Sequence, residues 1–131
     1  MARPLRLDPD RLFPLEPRAR DLARALFAPV ETLPIVSPHG HTDPAWFATN
    51  TPFTDAASLL VQPDHYLLRM LHSQGVPLEA LGVAPLEAAG APAGPREAWR
   101  TFAANYHLFR ATPSRLWLDH TFASVFQSRP A

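Results

Sequence analysis

With 131 residues and 47% apolar composition, the chain is long enough for a single small domain with a core of its own, but too short for a complete α/β barrel of about 250 residues. Formal net charge is zero and the arginines are scattered, so no phosphate-tracking face forms and nucleic acid is not an expected partner. The absence of cysteine excludes disulfides and thiolate metal ligands. No run approaches the roughly 18 apolar residues of a membrane span, and Met1–Asp8 lacks the apolar segment of a signal peptide, so a cytoplasmic protein without a membrane partner is expected.

Residues 1–15 are rich in Pro, Arg and Asp and read as an irregular arm. Pro17 suits a first helical position, and Ala19, Leu22, Ala23 and Leu26 form a helical stripe that should end at Phe27-Ala28, before Pro29. After a turn through Val30-Glu31-Thr32 comes Leu33-Pro34-Ile35-Val36-Ser37-Pro38-His39-Gly40-His41-Thr42-Asp43-Pro44. This is a short apolar run, read as a β-strand, that delivers two histidines to its end. In an extended chain, side chains at i and i+2 point to the same face, so His39 and His41 can aim at one point, as metal ligands do. Gly40 between them lets a ligand or another backbone come close. A catalytic zinc usually takes three protein ligands and an open position, so this pair is part of a site rather than the whole.

Ala45–Asn50 should make one helical turn, limited by Thr51-Pro52. Asp55 is placed to cap a short helix through Leu60, because its carboxylate can accept from the free amides of the first turn. Pro63 opens a helix from Asp64 to Gln74, closed by Gly75, and Pro77–Leu81 forms a turn ending at Gly82. From Val83 to Gly94 the chain is almost entirely Ala, Pro and Gly and reads as an exposed connection. Pro95 begins a strong helix in which Trp99, Phe102, Tyr106 and Phe109 recur at core-forming intervals. Thr112-Pro113 starts the last helix, with Leu118, Phe122 and Val125 on one face, running out near Gln127 before a frayed end.

The predicted fold is therefore mainly α with one short strand. A lone buried strand cannot satisfy its own backbone donors and acceptors, so its neighbours are expected in chain that is absent. The start of the fourth helical segment is dense in reactive groups. His65, Arg69 and His72 fall at i, i+4 and i+7 on one face, and Tyr66 lies about 100° round from His65, so both can look into one cleft. The plainer alternative is that Asp64 complements the helix dipole, Tyr66 packs its ring, and Arg69 and His72 are solvated.

Pro38-His39-Gly40-His41-Thr42-Asp43-Pro44, Asn50-Thr51-Pro52-Phe53, Asp64-His65-Tyr66-Leu67-Leu68-Arg69-Met70, Gly75-Val76 and Leu116-Trp117-Leu118-Asp119-His120 together resemble the opening quarter of the uronate (glucuronate) isomerase family of the amidohydrolase superfamily. The similarity runs in order from about Leu12 to Gln127. It departs from the family at Ser37, where an acidic residue is common, and at His72, where an arginine is common. The resemblance implies a distorted (β/α)8 barrel with extra helices after the first strand, of which this chain would be the N-terminal fragment. It also implies aldose–ketose isomerisation of uronates such as D-glucuronate to D-fructuronate, within carbohydrate metabolism.

By the resemblance, His39 and His41 are ligands of a divalent metal, zinc being the expected ion. Tyr66 and His65 are the catalytic pair, and His65 and Arg69 contact the uronate. The rest of the metal and substrate site lies on later strands, so the 131-residue chain should be inactive alone. Two alternatives are a fragment of another metal-dependent amidohydrolase and a non-enzymatic helical interaction module. An uncovered strand edge also favours aggregation or a homo-oligomer that covers it.

Overall fold

The structure is a computed structural model that describes residues 5–37, 40, 42–84 and 91–126. Its elements are helices α1 (Pro17–Phe27), α2 (Pro44–Thr49), α3 (Ala56–Leu60), α4 (His65–Ser73), α5 (Pro95–Ala104) and α6 (Pro113–Thr121). A 3-10 turn, Leu78–Leu81, precedes α5, a second, Tyr106–Phe109, follows it, and the widened π turn Phe122–Phe126 continues α6. No helix among the described residues is long and apolar enough to cross a membrane.

The helix starts follow from local chemistry. Proline occupies the first turn of α1, α2, α5 and α6, where its missing N–H costs nothing and its fixed φ is already helical. Side-chain oxygens supply the rest. Glu16 accepts from the Arg18 and Ala19 amides, Asp43 from Ala45, Asp55 from Ser58, Asp64 from Tyr66 and Leu67, and Thr112 from Arg115. The Ser58 backbone N–H, with the Thr54 and Ser58 hydroxyls adding to it, holds the Asp55 carboxyl below its ordinary range. Asp64 begins α4 as its cap, so Pro63 lies outside the helix rather than opening it.

The core is built by α3–α6 and the two 3-10 turns. Val61, Leu67, Leu71, Leu81, Phe102, Phe109 and Leu118 are fully enclosed, with Trp99, Tyr106 and Phe122 packed around them. Phe102 is the hub: its ring lies 5.2 Å from Trp99, 5.4 Å from Tyr106 and 5.9 Å from Phe109. The aromatic stripe expected of the fifth helix is thus core, but it does not run along one continuous helix. Asn105 leaves helical geometry (φ −101°, ψ 7°), and its side chain donates back to the Thr101 carbonyl at 2.8 Å. That local bond competes with helix propagation, and the chain continues as the 3-10 turn. Gly82 ends the first 3-10 turn at φ +79°, where an added Cβ would meet the Gln62 side chain.

The N-terminal third is built differently. Helix α1 buries none of its residues. It is held to the arm before it by an Arg24–Asp10 ion pair and by Phe13 against Phe27, ring centroids 5.9 Å apart. The short strand expected from Leu33 to just past the histidine pair is not seen among the described residues, residues 33–37 being irregular. No ladder forms there: Leu33 N–H turns back to the Val30 carbonyl at 3.1 Å, and Ile35 and Val36 make no hydrogen bond among the described residues. The convergence expected of His39 and His41 lies outside the described residues.

A candidate active-site groove at the start of helix α4

Helix α4 is oriented by Leu67 and Leu71, one turn apart and both fully buried. Anchoring that stripe leaves Tyr66, in the first turn of the helix, exposed. There His65 and Tyr66 line one side of an open groove of about 450 Å³. Leu59, Leu60 and Pro63 line it as well, with Thr42 and Trp46. Trp117 and Thr121 of α6, with Val125 and Phe126 of the following turn, complete the lining.

Within the groove the His65 and Tyr66 rings lie 4.1 Å apart with 35° between their planes. The Arg69 guanidinium sits 5.4 Å from the centre of the Tyr66 ring, a cation–π arrangement. Three of the residues singled out from sequence therefore form one contiguous cluster. Tyr66 is 59% exposed, so its phenol is open to a ligand rather than packed away. Its ring also borders a second recess of about 580 Å³ lined by Met70, Phe109, Thr112, Pro113 and Ser114. Asp64 is committed to capping: Oδ1 accepts from the Tyr66 amide at 2.8 Å and the Leu67 amide at 3.2 Å, fixing the backbone that carries the pair.

His72 does not join this cluster. It sits at the far end of α4, with Nδ1 3.4 Å from the Val76 carbonyl, because the span from His65 to His72 carries it almost two turns along the helix axis. Among the described residues no three His, Cys, Asp or Glu side chains come together as a metal site.

The α6 wall is clasped in place. Asp119 accepts from the Tyr106 hydroxyl at 2.9 Å and from Arg115 Nε at 2.9 Å. Arg115 also donates Nη1 to the Tyr106 carbonyl at 3.2 Å, and its guanidinium stacks 3.9 Å from the Tyr106 ring centre. Burial and the Asp119 carboxylate push the Tyr106 phenol well above its ordinary range, so it stays a neutral donor. Phe122, on the following turn, packs 5.9 Å from Tyr106 and 6.2 Å from Trp99.

Reading the sequence along single faces missed Trp117, Thr121, Trp46 and Thr42 as groove residues. Trp117 precedes the buried Leu118 by about 100° of helix, and its place in the Leu116–His120 motif was the available signal.

A family model described as glucuronate isomerase matches residues 13–128 of the chain. The chain belongs to the glucuronate isomerase family. It is 66% identical over 125 residues to the uronate isomerase of Rhizorhabdus wittichii, a match covering 95% of this chain and 26% of that protein. It is 63% identical over 126 residues to the uronate isomerase of Phenylobacterium zucineum, with 96% and 26% covered. The crystal structure of glucuronate isomerase from Caulobacter crescentus superposes with a TM-score of 0.86 at 61% identity, over 95% of this chain and 26% of that one. The chain thus spans about a quarter of the length of these glucuronate isomerase relatives.

Proposed function

We propose that this chain is the N-terminal part of a uronate isomerase barrel and contributes one wall of its active site. On this reading it supplies the first barrel strand and the helices inserted after it. The observation that carries the reading is the groove itself: Thr42, immediately after the His39-Gly40-His41 segment in sequence, lines the same cavity as His65 and Tyr66. Family membership supports the same conclusion.

Conversion of an aldose uronate such as D-glucuronate to its ketose form, D-fructuronate, moves a proton between C2 and C1 through an enediolate. The catalyst must therefore carry a proton and stabilise developing negative charge on two oxygens. The exposed Tyr66 hydroxyl is the proton-carrying group, and the His65 imidazole beside it holds a substrate oxygen. Arg69, stacked on the Tyr66 ring, places a permanent positive charge where an anionic uronate approaches. His39 and His41 offer two neutral nitrogen donors, a set suited to a borderline ion such as zinc and short of the three protein ligands of a catalytic site. A divalent metal held there would supply Lewis-acid stabilisation of the enediolate oxygens.

The test is a chimera in which this chain replaces the matching quarter of the Caulobacter enzyme, assayed for D-glucuronate isomerisation with added zinc or manganese. Turnover is expected, with kcat falling at least about a hundredfold in Tyr66→Phe, and with bound metal lost in His39→Ala and His41→Ala. An active chimera indifferent to all three substitutions would sink the assignment. The isolated chain should show no turnover and only weak metal binding.

A further inference from the structure

The Leu116–His120 motif supplies no group to the proposed reaction, yet its residues divide between two sides of α6. Trp117, with Thr121 one turn on, lines the groove that holds His65 and Tyr66. Asp119, with Arg115 one turn back, does not line it; both meet Tyr106 instead. At about 100° per residue, Trp117 and Asp119 stand about 160° apart around the helix axis, so the groove face and the clasp are nearly back to back. Leu118, between them in sequence, is fully buried and is the only residue of α6 that is.

An apolar anchor such as Leu118 is non-directional: it presses α6 on to the core without fixing the rotation of the helix about its own axis. Hydrogen bonds are directional, and the clasp is made of them. Asp119 receives two donors at 2.9 Å each, one from Tyr106 and one from Arg115, and Arg115 closes the ring by donating to the Tyr106 carbonyl. The Arg115 and Asp119 side chains are only 33% and 21% exposed, so the pair forgoes much of its hydration. Well-packed apolar side chains hold a helix to a core at no such cost; what the pair adds is a fixed angle. The lever is short: side chains reach about 5–6 Å from the helix axis, so a roll of about 10° moves the groove face by about 1 Å.

We propose that Asp119 is a positioning residue of the reaction: through α6 it holds Trp117 at the angle at which the indole packs against the bound uronate. The C–H groups of a sugar acid form apolar strips between its hydroxyls, and an exposed aromatic ring is a surface that fits them. Trp117 is 51% exposed and lines the groove together with Tyr66. Tyr106 and Arg115 act on the same wall through Asp119. The inference rests on the groove being the uronate site proposed above.

The test uses the chimera of this chain with the Caulobacter enzyme. Asp119→Leu should raise KM for D-glucuronate at least about tenfold and leave kcat within about threefold, because the proton-carrying pair is held by α4. Loss of folded enzyme alone would lower apparent kcat and leave KM untouched. Trp117→Ala should raise KM by a similar factor, and Asp119→Leu should add less than about twofold in its presence, since both act through one contact. Tyr106→Phe, which removes a single hydroxyl, is the milder variant and should raise KM about threefold. An unchanged KM in Asp119→Leu and Tyr106→Phe, or fully multiplicative effects of Asp119→Leu and Trp117→Ala, would overturn the positioning role. The 131-residue chain itself, labelled with 5-fluorotryptophan, supplies a reading free of turnover. In its fluorine spectrum Asp119→Leu should shift the Trp117 resonance more than that of Trp99, which packs on Phe102 and Phe122. A Trp117 line that stays, or a Trp99 line that moves as far, counts against the proposal whether or not the chimera turns over. A chimera that is inactive, or indifferent to both Tyr66→Phe and Trp117→Ala, counts against the proposed function, and the fluorine spectrum then still decides whether Asp119 positions Trp117.

Discussion

Residues 56–126 and residues 5–53 are both rich in apolar side chains, 37 of 71 and 21 of 49, yet among the described residues only the first has an interior. In the later part Leu67, Leu71, Phe102, Phe109 and Leu118 find one another within the chain. In the earlier part α1 has a comparable amphipathic stripe and the 33–36 run is more apolar still, but neither encloses a residue. An amphipathic pattern therefore records that a face will be covered, and leaves open what covers it. The groove lies where the two parts meet, with Thr42 and Trp46 from the earlier and His65, Tyr66 and Trp117 from the later.

The sharpest way to break this contrast is to empty the interior. Phe102→Ala should cost about 3–5 kcal/mol, since a ring touching three other aromatics leaves a cavity its neighbours cannot refill. Chemical denaturation would then show residues 56–126 losing cooperative unfolding, and a loss below about 1 kcal/mol would mean the core is looser than its burial implies.

A smaller effect is expected at the clasp on α6. Tyr106→Phe removes the hydrogen bond to Asp119 and should cost about 1–2 kcal/mol at neutral pH. The folded chain resists ionising Tyr106 and the unfolded chain does not. That contribution is therefore complete below pH 10 and fades as pH rises beyond it. Wild type should lose stability between pH 10 and 12 more steeply than Tyr106→Phe, and parallel melting curves over that range would contradict the proton placement.

Ala111 offers a change of opposite sign. Its φ of +62° is left-handed, which strains an alanine and not a glycine. Ala111→Gly should raise stability by about 0.5 kcal/mol once the added freedom of the unfolded glycine is subtracted. A thermal melt reads this directly, and a lower melting temperature would show that the strain is relieved by the surroundings.

The smallest effect belongs to the other side of the comparison. Leu22→Asp with Leu26→Asp should alter the melting temperature of the chain alone by no more than the equivalent of about 0.5 kcal/mol, as for surface substitutions generally. A large drop would show that α1 packs on the core after all.

Much of this architecture is legible from residues alone, because caps and prolines are local signals. Asp55, Asp64 and Pro95 mark helix starts within a residue of where they occur. That His65 and Tyr66 can face one cleft follows from their adjacency on a first turn, and both line the same groove. Three features were not legible. The strand expected from Leu33 past the histidine pair does not form among the described residues, because a strand depends on a partner in space and its pattern is necessary without being sufficient. The break at Asn105 depends on one side-chain bond to Thr101 that outcompetes helical geometry. The α6 side of the groove depends on residues some fifty positions apart, His65–Tyr66 and Trp117–Thr121, lining one cavity, which no single-helix periodicity encodes.

The π turn after α6 has a consequence for how this site tolerates length changes. Five residues, Phe122–Phe126, occupy a widened turn of the kind that one inserted residue produces in an α-helix. Deleting a single residue there removes the surplus, so the segment relaxes to ordinary α pitch with the register of its flanks kept. Deleting one from the ordinary α turns before it, Pro113–Thr121, has no surplus to absorb and turns the helix beyond by about 100°, carrying Val125 and Phe126 out of the groove they now wall. The widened turn is therefore the place where this wall tolerates the loss of one residue, and a natural homologue one residue shorter there would be expected to keep the groove's outline.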